Sequence, residues 1–290
     1  VSAAAADGPR LFAVSDLHAG VADNREVVDG LRPETPDDWL LIAGDVAERT
    51  PAVEATLALL ATRFATVVWA PGNHELWTPP KDPVQLRGEE RYRHLVDVCR
   101  GLGVLTPEDP YPVFAGAGGP VRVAPLFLLY DYSWLPPGFS DAAAARRAAR
   151  EAGVMFTDEF LLDPAPYPSR EAWCAARVAA TERRLAEADD PAVPLLLVNH
   201  YPLVRGPADR MFSPYLAMWC GTERTADWHR RFHLAGVVYG HLHIPRRELV
   251  DGVPFWEVSL GYPREWRRRG HPHGLLREVL ADDRPLVPAA

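Results

Sequence analysis

Five short apolar runs in this chain each stop abruptly at a polar cluster. Residues 11–14 run into Ser15-Asp16, 39–43 into Gly44-Asp45, and 67–70 into Pro71-Gly72-Asn73-His74. Residues 195–198 run into Asn199-His200, and 237–239 into Gly240-His241. Apolar runs of this length, bounded by turn residues and separated by helical stretches, are the pattern of strands buried on both faces of an α/β sheet. Ligands of such sheets gather outside the carboxyl ends of the strands. The residues that follow the runs are therefore where the chemistry is expected.

Helical signals lie between the runs. Over 51–63 a helix is expected, with Thr50 able to cap it and Pro51 suited to its first position. A second is expected over 89–100, stopped by Gly101. A third follows the cap Ser169 and runs to about Ala188, with Trp173, Ala176, Ala180 and Leu185 spaced for one buried face. That spacing leaves Arg177, Arg183 and Arg184 to a solvated face. Residues 111–115 and 121–129 read as a hairpin around Gly116-Ala117-Gly118-Gly119, a turn without the strand-to-helix setting of a nucleotide loop. Residues 141–152 read as a short Ala/Arg helix.

Composition bounds the remaining possibilities. With 290 residues, 48% apolar and 24% charged, the chain can bury an ordinary core, which excludes disorder as its main state. No Ser/Gly linker divides it, so one domain over 1–290 is expected. The net charge of −8, from 31 basic and 39 acidic residues, argues against broad capture of nucleic acid or an anionic membrane. Any phosphate ligand then needs a local cation. No apolar stretch is long enough for a membrane span, and residues 1–10 lack the order of a signal peptide, so a soluble cytoplasmic protein is expected. Cys99, Cys174 and Cys220 are far apart and odd in number, and read as reduced core thiols.

The strand ends deliver Asp16, His18, Asp45, Asn73, His74, His200, His241 and His243, residue types that bind borderline divalent metals. An isolated Asp-x-His carries little information; its weight comes from all these groups following strand-like runs. The oxygen and nitrogen donors, with no thiolate among them, exceed what one four-coordinate zinc needs and match two ions sharing a bridging carboxylate.

In order and spacing, Asp16-x-His18, Gly44-Asp45, Gly72-Asn73-His74-Glu75, Asn199-His200 and Gly240-His241-x-His243 resemble the calcineurin-like metallophosphoesterases. The resemblance implies an α/β fold, a four-layer α/β/β/α sandwich with two mixed β-sheets and the metal site at the carboxyl ends of the strands. It implies one metal on Asp16, His18, Asp45 and His243, and another on Asp45, Asn73, His200 and His241, with Mn, Fe or Zn the expected ions. A hydroxide bridging them would attack phosphorus. His74 would act as the catalytic acid that protonates the departing alkoxide, and Glu75 would orient a loop or a ligand. His94, His229 and His233 fall on expected helices and read as structural, whereas the reading of His271 and His273 stays open.

Specificity is expected from a long insertion at about 81–192 that shapes the pocket, and from loops around the metals. Tyr132 and Arg264 are the candidate substrate contacts. Arg suits a phosphate because it can bind it bidentately. The expected partner is a small phosphorylated substrate, with a phosphomonoester or nucleotide favoured over the alternative, a phosphodiesterase of cyclic nucleotides or other diesters. A non-catalytic metal-binding interaction module would predict lost ligands or a lost His74. A nuclease on long DNA would want a basic groove, which the acidic charge disfavours.

Overall fold

The computed structural model describes residues 8–270 and 275–280, so His271 and His273 lie outside the described residues. Along the chain come β1 (Leu11–Val14), α1 (Ala22–Gly30), β2 (Trp39–Ala43), α2 (Thr50–Ala61), β3 (Thr66–Ala70), α3 (Asn73–Leu76) and α4 (Gly88–Gly101). There follow β4 (Val113–Phe114), β5 (Val121–Pro125), α5 (Ala142–Glu151), α6 (Asp158–Leu161), α7 (Arg170–Ala188) and β6 (Leu195–Val198). The last are α8 (Trp228–Arg231), β7 (Leu234–Tyr239), β8 (Arg246–Val250), β9 (Val253–Glu257), α9 (Pro263–Arg269) and β10 (Arg277–Glu278).

Two mixed sheets result. One has the order β10-β1-β2-β3, parallel except for the edge strand β10. The other has the order β4-β5-β6-β7-β9-β8, with antiparallel edges around a parallel centre. Alternation along each strand explains the layering. Leu11, Ala13, Leu41, Ala43, Val68 and Ala70 meet Val123, Leu196, Val198 and Val238 in the layer between the sheets. Their neighbours Phe12, Val14, Leu40, Ile42, Val67 and Trp69 belong instead to the cluster that includes Val28, Val53, Leu57, Leu60 and Leu95 of the helices. Helices thus cover the outer faces, which gives the α/β/β/α sandwich, and strands apolar on both faces follow from it. At one point the sheets are tied together: Ser15 bridges Ser259 in parallel, with Ser15 N–H donating to Val258 O (3.1 Å) and Leu260 N–H to Ser15 O (2.9 Å).

Local expectations are met at Ser169, whose hydroxyl accepts the Ala172 N–H at the start of α7, and in the Ala/Arg helix α5, which Asp141 precedes as its cap. Two are not. Thr50 sits inside α2 after the cap residue Arg49, and its N–H and hydroxyl go to the buried carboxylate of Asp82. Arg177 is buried rather than solvated: its guanidinium lies 4.5 Å from the Phe127 ring centre and 2.7 Å from Glu108. Packing α7 against the chain that follows β5 covers a wider face than four apolar positions suggest. Within the stretch 81–192, β5 runs parallel to β6 inside the second sheet. No described helix is long and apolar enough to cross a membrane.

Leu41 is fully buried between the sheets. Leu41→Ala is expected to cost about 2–5 kcal/mol of folding stability, read as a lower urea midpoint with an unchanged slope.

Candidate metal centre

The turns that follow β1, β2 and β7 place Asp16 (φ 52°), His18 (42°), Asp45 (55°), His241 (70°) and His243 (56°) in the left-handed backbone region. A non-glycine residue there is uncommon. Such strain costs on the order of 1–3 kcal/mol per residue and persists only where the surroundings enforce it. Close packing of the turns also dictates two glycines. A Cβ on Gly72 would lie 2.1 Å from Asp45 Oδ1, and one on Gly240 would lie 2.0 Å from Ser15 Oγ.

The side chains converge from both sheets. The hydroxyls of Ser15 and Ser259 lie 2.5 and 2.6 Å from Asp16 Oδ2, which also accepts the His241 N–H at 3.0 Å. Asp16 Oδ1 faces His243 Nε2 at 3.1 Å, and His243 Nε2 faces His18 Nε2 at 3.3 Å. His200 Nε2 lies 3.0 Å from Asn73 Oδ1, 3.1 Å from His241 Nδ1 and 3.4 Å from Asp45 Oδ2. Three overlapping triads, Asp16/His18/His243, His18/Asp45/His74 and Asp16/Asp45/His200, each bring their ligand atoms within 4.8 Å of one another.

The outward ring nitrogens are held. His18 Nδ1 pairs with Glu48 Oε1 (3.1 Å), His243 Nδ1 with Glu265 Oε2 (2.7 Å) and His200 Nδ1 with the Ala43 carbonyl (2.9 Å). Imidazoles fixed in this way present Nε2 inward, as metal-binding histidines do. His241 is turned the other way, with Nδ1 inward and Nε2 buried without a partner. The electrostatics agree with this donor set. Burial opposes charge on His200 and His243, yet Asp45 and Asp16 beside them raise both to about 10. Burial likewise opposes ionised carboxylates, but His243 holds Asp16, and His200 holds Asp45, well below the usual range. The cluster draws positive charge to one point, a demand that divalent cations meet with all-oxygen-and-nitrogen ligation.

His74 stands at the edge of this cluster. Its ring stacks on Trp77 at 3.6 Å, its Nε2 lies 3.7 Å from Asp45 Oδ2, and its Nδ1 lies 3.5 Å from Glu48 Oε1. Burial disfavours its charge, but Asp45 and Glu48 raise its pKa above the ordinary value. Glu75 points away from the donors. It accepts the N–H groups of Asp45, Val46 and Gly72 at 3.0, 2.8 and 3.0 Å, clamping two strand-end turns together.

Three further residues hold the site without having been among the expected donors. Glu48 stands three positions after Asp45, and Glu265 lies one position beyond Arg264, so position relative to a motif could have flagged both. Asp158 accepts from Asn73 Nδ2 (2.9 Å) and Trp77 Nε1 (2.6 Å), which turns Asn73 Oδ1 inward. Its segment carries no motif, and nothing local marks it.

A cavity of about 580 Å³ opens over the cluster, lined by Asp45, Asn73, His74, His241 and His243, with Arg264 on its rim. The Arg264 side chain is 80% exposed. Tyr132 does not line this cavity, contrary to expectation. It is buried with Tyr130, Ala145, Ala149 and Trp219, and its hydroxyl bonds to Glu159 at 2.9 Å. The approach of α5 to the turn at Pro214–Trp219 closes over it.

A profile described as calcineurin-like phosphoesterase matches residues 9–245. The [acyl-carrier-protein] phosphodiesterase PptH of Mycobacterium tuberculosis is 55% identical over 274 residues, covering 94% of this chain and 84% of that protein. The crystal structure of phosphopantetheinyl hydrolase (PptH) from Mycobacterium tuberculosis superposes with a TM-score of 0.93 at 54% identity, covering 96% of this chain and 98% of that one.

Gly72→Ala would push Asp45 aside. Displacing a site group by about 1 Å can cost on the order of 100-fold in rate, so turnover is expected to fall by about that factor, with bound metal per chain below the wild-type value by elemental analysis. Wild-type metal content and rate in this variant would contradict the account of the turn.

Proposed function

The chain belongs to the calcineurin-like phosphoesterase family and is a metal-dependent phosphoesterase, and from that premise we propose that it is a phosphodiesterase removing phosphopantetheine from an acyl carrier protein. The observation that carries this reading is 55% identity to PptH over 94% of the chain. It replaces the preference for small phosphomonoesters or nucleotides with the diesterase alternative. It also replaces a free small molecule with a group borne on a protein. The cavity supports it, because it is open at its mouth and large enough for more than a phosphate.

In this reading Asp16, His18, Asp45 and His243 hold one ion, and Asp45, Asn73, His200 and His241 the other, with Mn, Fe and Zn as candidates. When bound, the ions supply positive charge for the phosphate oxygens and lower the pKa of a water. Glu48, Glu265 and the Ala43 carbonyl keep three imidazoles aimed inward. Asp158 does the same for the Asn73 amide. His74 carries the proton for the departing alkoxide of the carrier protein, with Trp77 stacked on its ring and Asp45 and Glu48 favouring its charged form. Arg264 is placed on the rim to meet a phosphate oxygen or an acidic partner.

Purified protein incubated with the phosphopantetheinyl carrier protein is expected to return the bare carrier protein, read by intact mass spectrometry. A chelator should stop the release, and adding back Mn, Fe or Zn one at a time should restore it. A protein that hydrolyses p-nitrophenyl phosphate well but leaves the carrier protein intact would overturn the proposal in favour of a monoesterase. His74→Ala is expected to lower turnover by roughly 100-fold or more, as loss of a general acid does, with metal content near wild type. Normal turnover in that variant would remove His74 from the mechanism.

A further inference from the structure

The cavity has a side that the reading above leaves unused. Met155, Phe156, Met211, Phe212, Leu216 and Ile244 line it. Met155 is 58% exposed, and Phe212, at 91%, is more exposed than any other large hydrophobic side chain reported among the described residues. Apolar side chains left in water beside a cavity mark a surface that something covers.

The wall starts at the donor set. The Phe156 ring centre is 5.9 Å from that of His241, and Phe156 stacks at 5.3 Å and 8° on Trp219, whose Nε1 donates to Glu159. Its base is therefore fixed, while the two methionines are unbranched and adapt to a flexible chain. The wall itself carries no charge. Two arginines share the cavity lining: Arg210, beside Met211 and paired with Glu248 at 2.8 Å, and Arg264 on the rim. A phosphate held beside His241 has Phe156 within reach of its substituents, and an uncharged, slender substituent suits that surface.

We propose that the Met155–Phe156 and Met211–Phe212 edges form a subsite for the uncharged amide-and-methylene arm of a phosphopantetheinyl diester. The inference rests on the carrier-protein reading above for the identity of the arm. It adds which part of the substrate these edges read: the arm, not the face of the carrier protein.

The test uses two synthetic diesters with the same p-nitrophenyl leaving group, one bearing the phosphopantetheine arm and the other a second p-nitrophenyl group. In the double variant Met155→Ser/Phe212→Ser, the ratio of kcat/KM for the arm-bearing ester to that for the bis-aryl ester is expected to fall about tenfold or more, the range in which apolar pockets discriminate. The loss should sit mainly in KM, and Met155→Leu/Phe212→Trp should restore the ratio. An unchanged ratio overturns the subsite. So does a variant that slows release only from the intact carrier protein, because the edges would then read the protein face. A wild-type protein that prefers the arm-bearing ester yet never frees the carrier protein would support the subsite and sink the carrier-protein reading.

Discussion

Burying two carboxylates in one place is costly unless hydrogen bonds or positive charge meet them, and Asp16 and Asp45 are both buried. Much of the nearby architecture answers that cost. Asp16 Oδ2 is met by two serine hydroxyls and the His241 N–H, and Asp45 Oδ1 takes the His74 N–H at 2.9 Å. Their remaining oxygens face imidazoles. Because those donors come from both sheets, the sheets must end at the same level, and the bridge between Ser15 and Ser259 holds them there. The two-sheet sandwich and the electrostatics of the site are thus one constraint seen at two scales.

The strained turns belong to the same constraint. Side chains on neighbouring parallel strands stand out on the two faces of the sheet, and bringing them to one point beyond its end requires the chain to reverse within a residue or two. Left-handed backbone at Asp16, Asp45 and His241 achieves this at an energetic cost, and Glu75 offsets part of it by collecting three N–H groups from two turns. Burial, with Asp45 nearby, pushes the Glu75 carboxyl up to about 7. Its carboxylate holds the two turns from behind the donors that face the cavity.

The legible part of this molecule is the part governed by local rules. β1, β2 and β6 begin and end where their apolar runs do, and the donors follow in the order of the family motifs. Ser169 and Asp141 cap their helices because a capping hydroxyl or carboxylate acts within three residues. What stayed hidden depends on distant neighbours. Arg177 looked solvated because nothing in its helix announces Glu108 and Phe127, and Tyr132 looked available because the closure by α5 and Trp219 is tertiary. Asp158 was invisible for the same reason. The apolar wall of Met155, Phe156, Met211 and Phe212 was hidden too, since it is assembled from two segments of no recognisable pattern.

The bond from Asp158 to Asn73 has a consequence for how such a protein can change. Asp158 lies in the same stretch as Met155 and Phe156, so the loop that shapes the cavity also sets the orientation of a candidate ligand. A transplant of residues 126–163 from a relative with another substrate would alter both at once. A loop that returns a hydrogen-bond acceptor to the place of Asp158 would keep the Asn73 oxygen facing inward. The shape of the cavity and the pose of one donor are thus set by a single segment, and neither can be altered there without regard to the other.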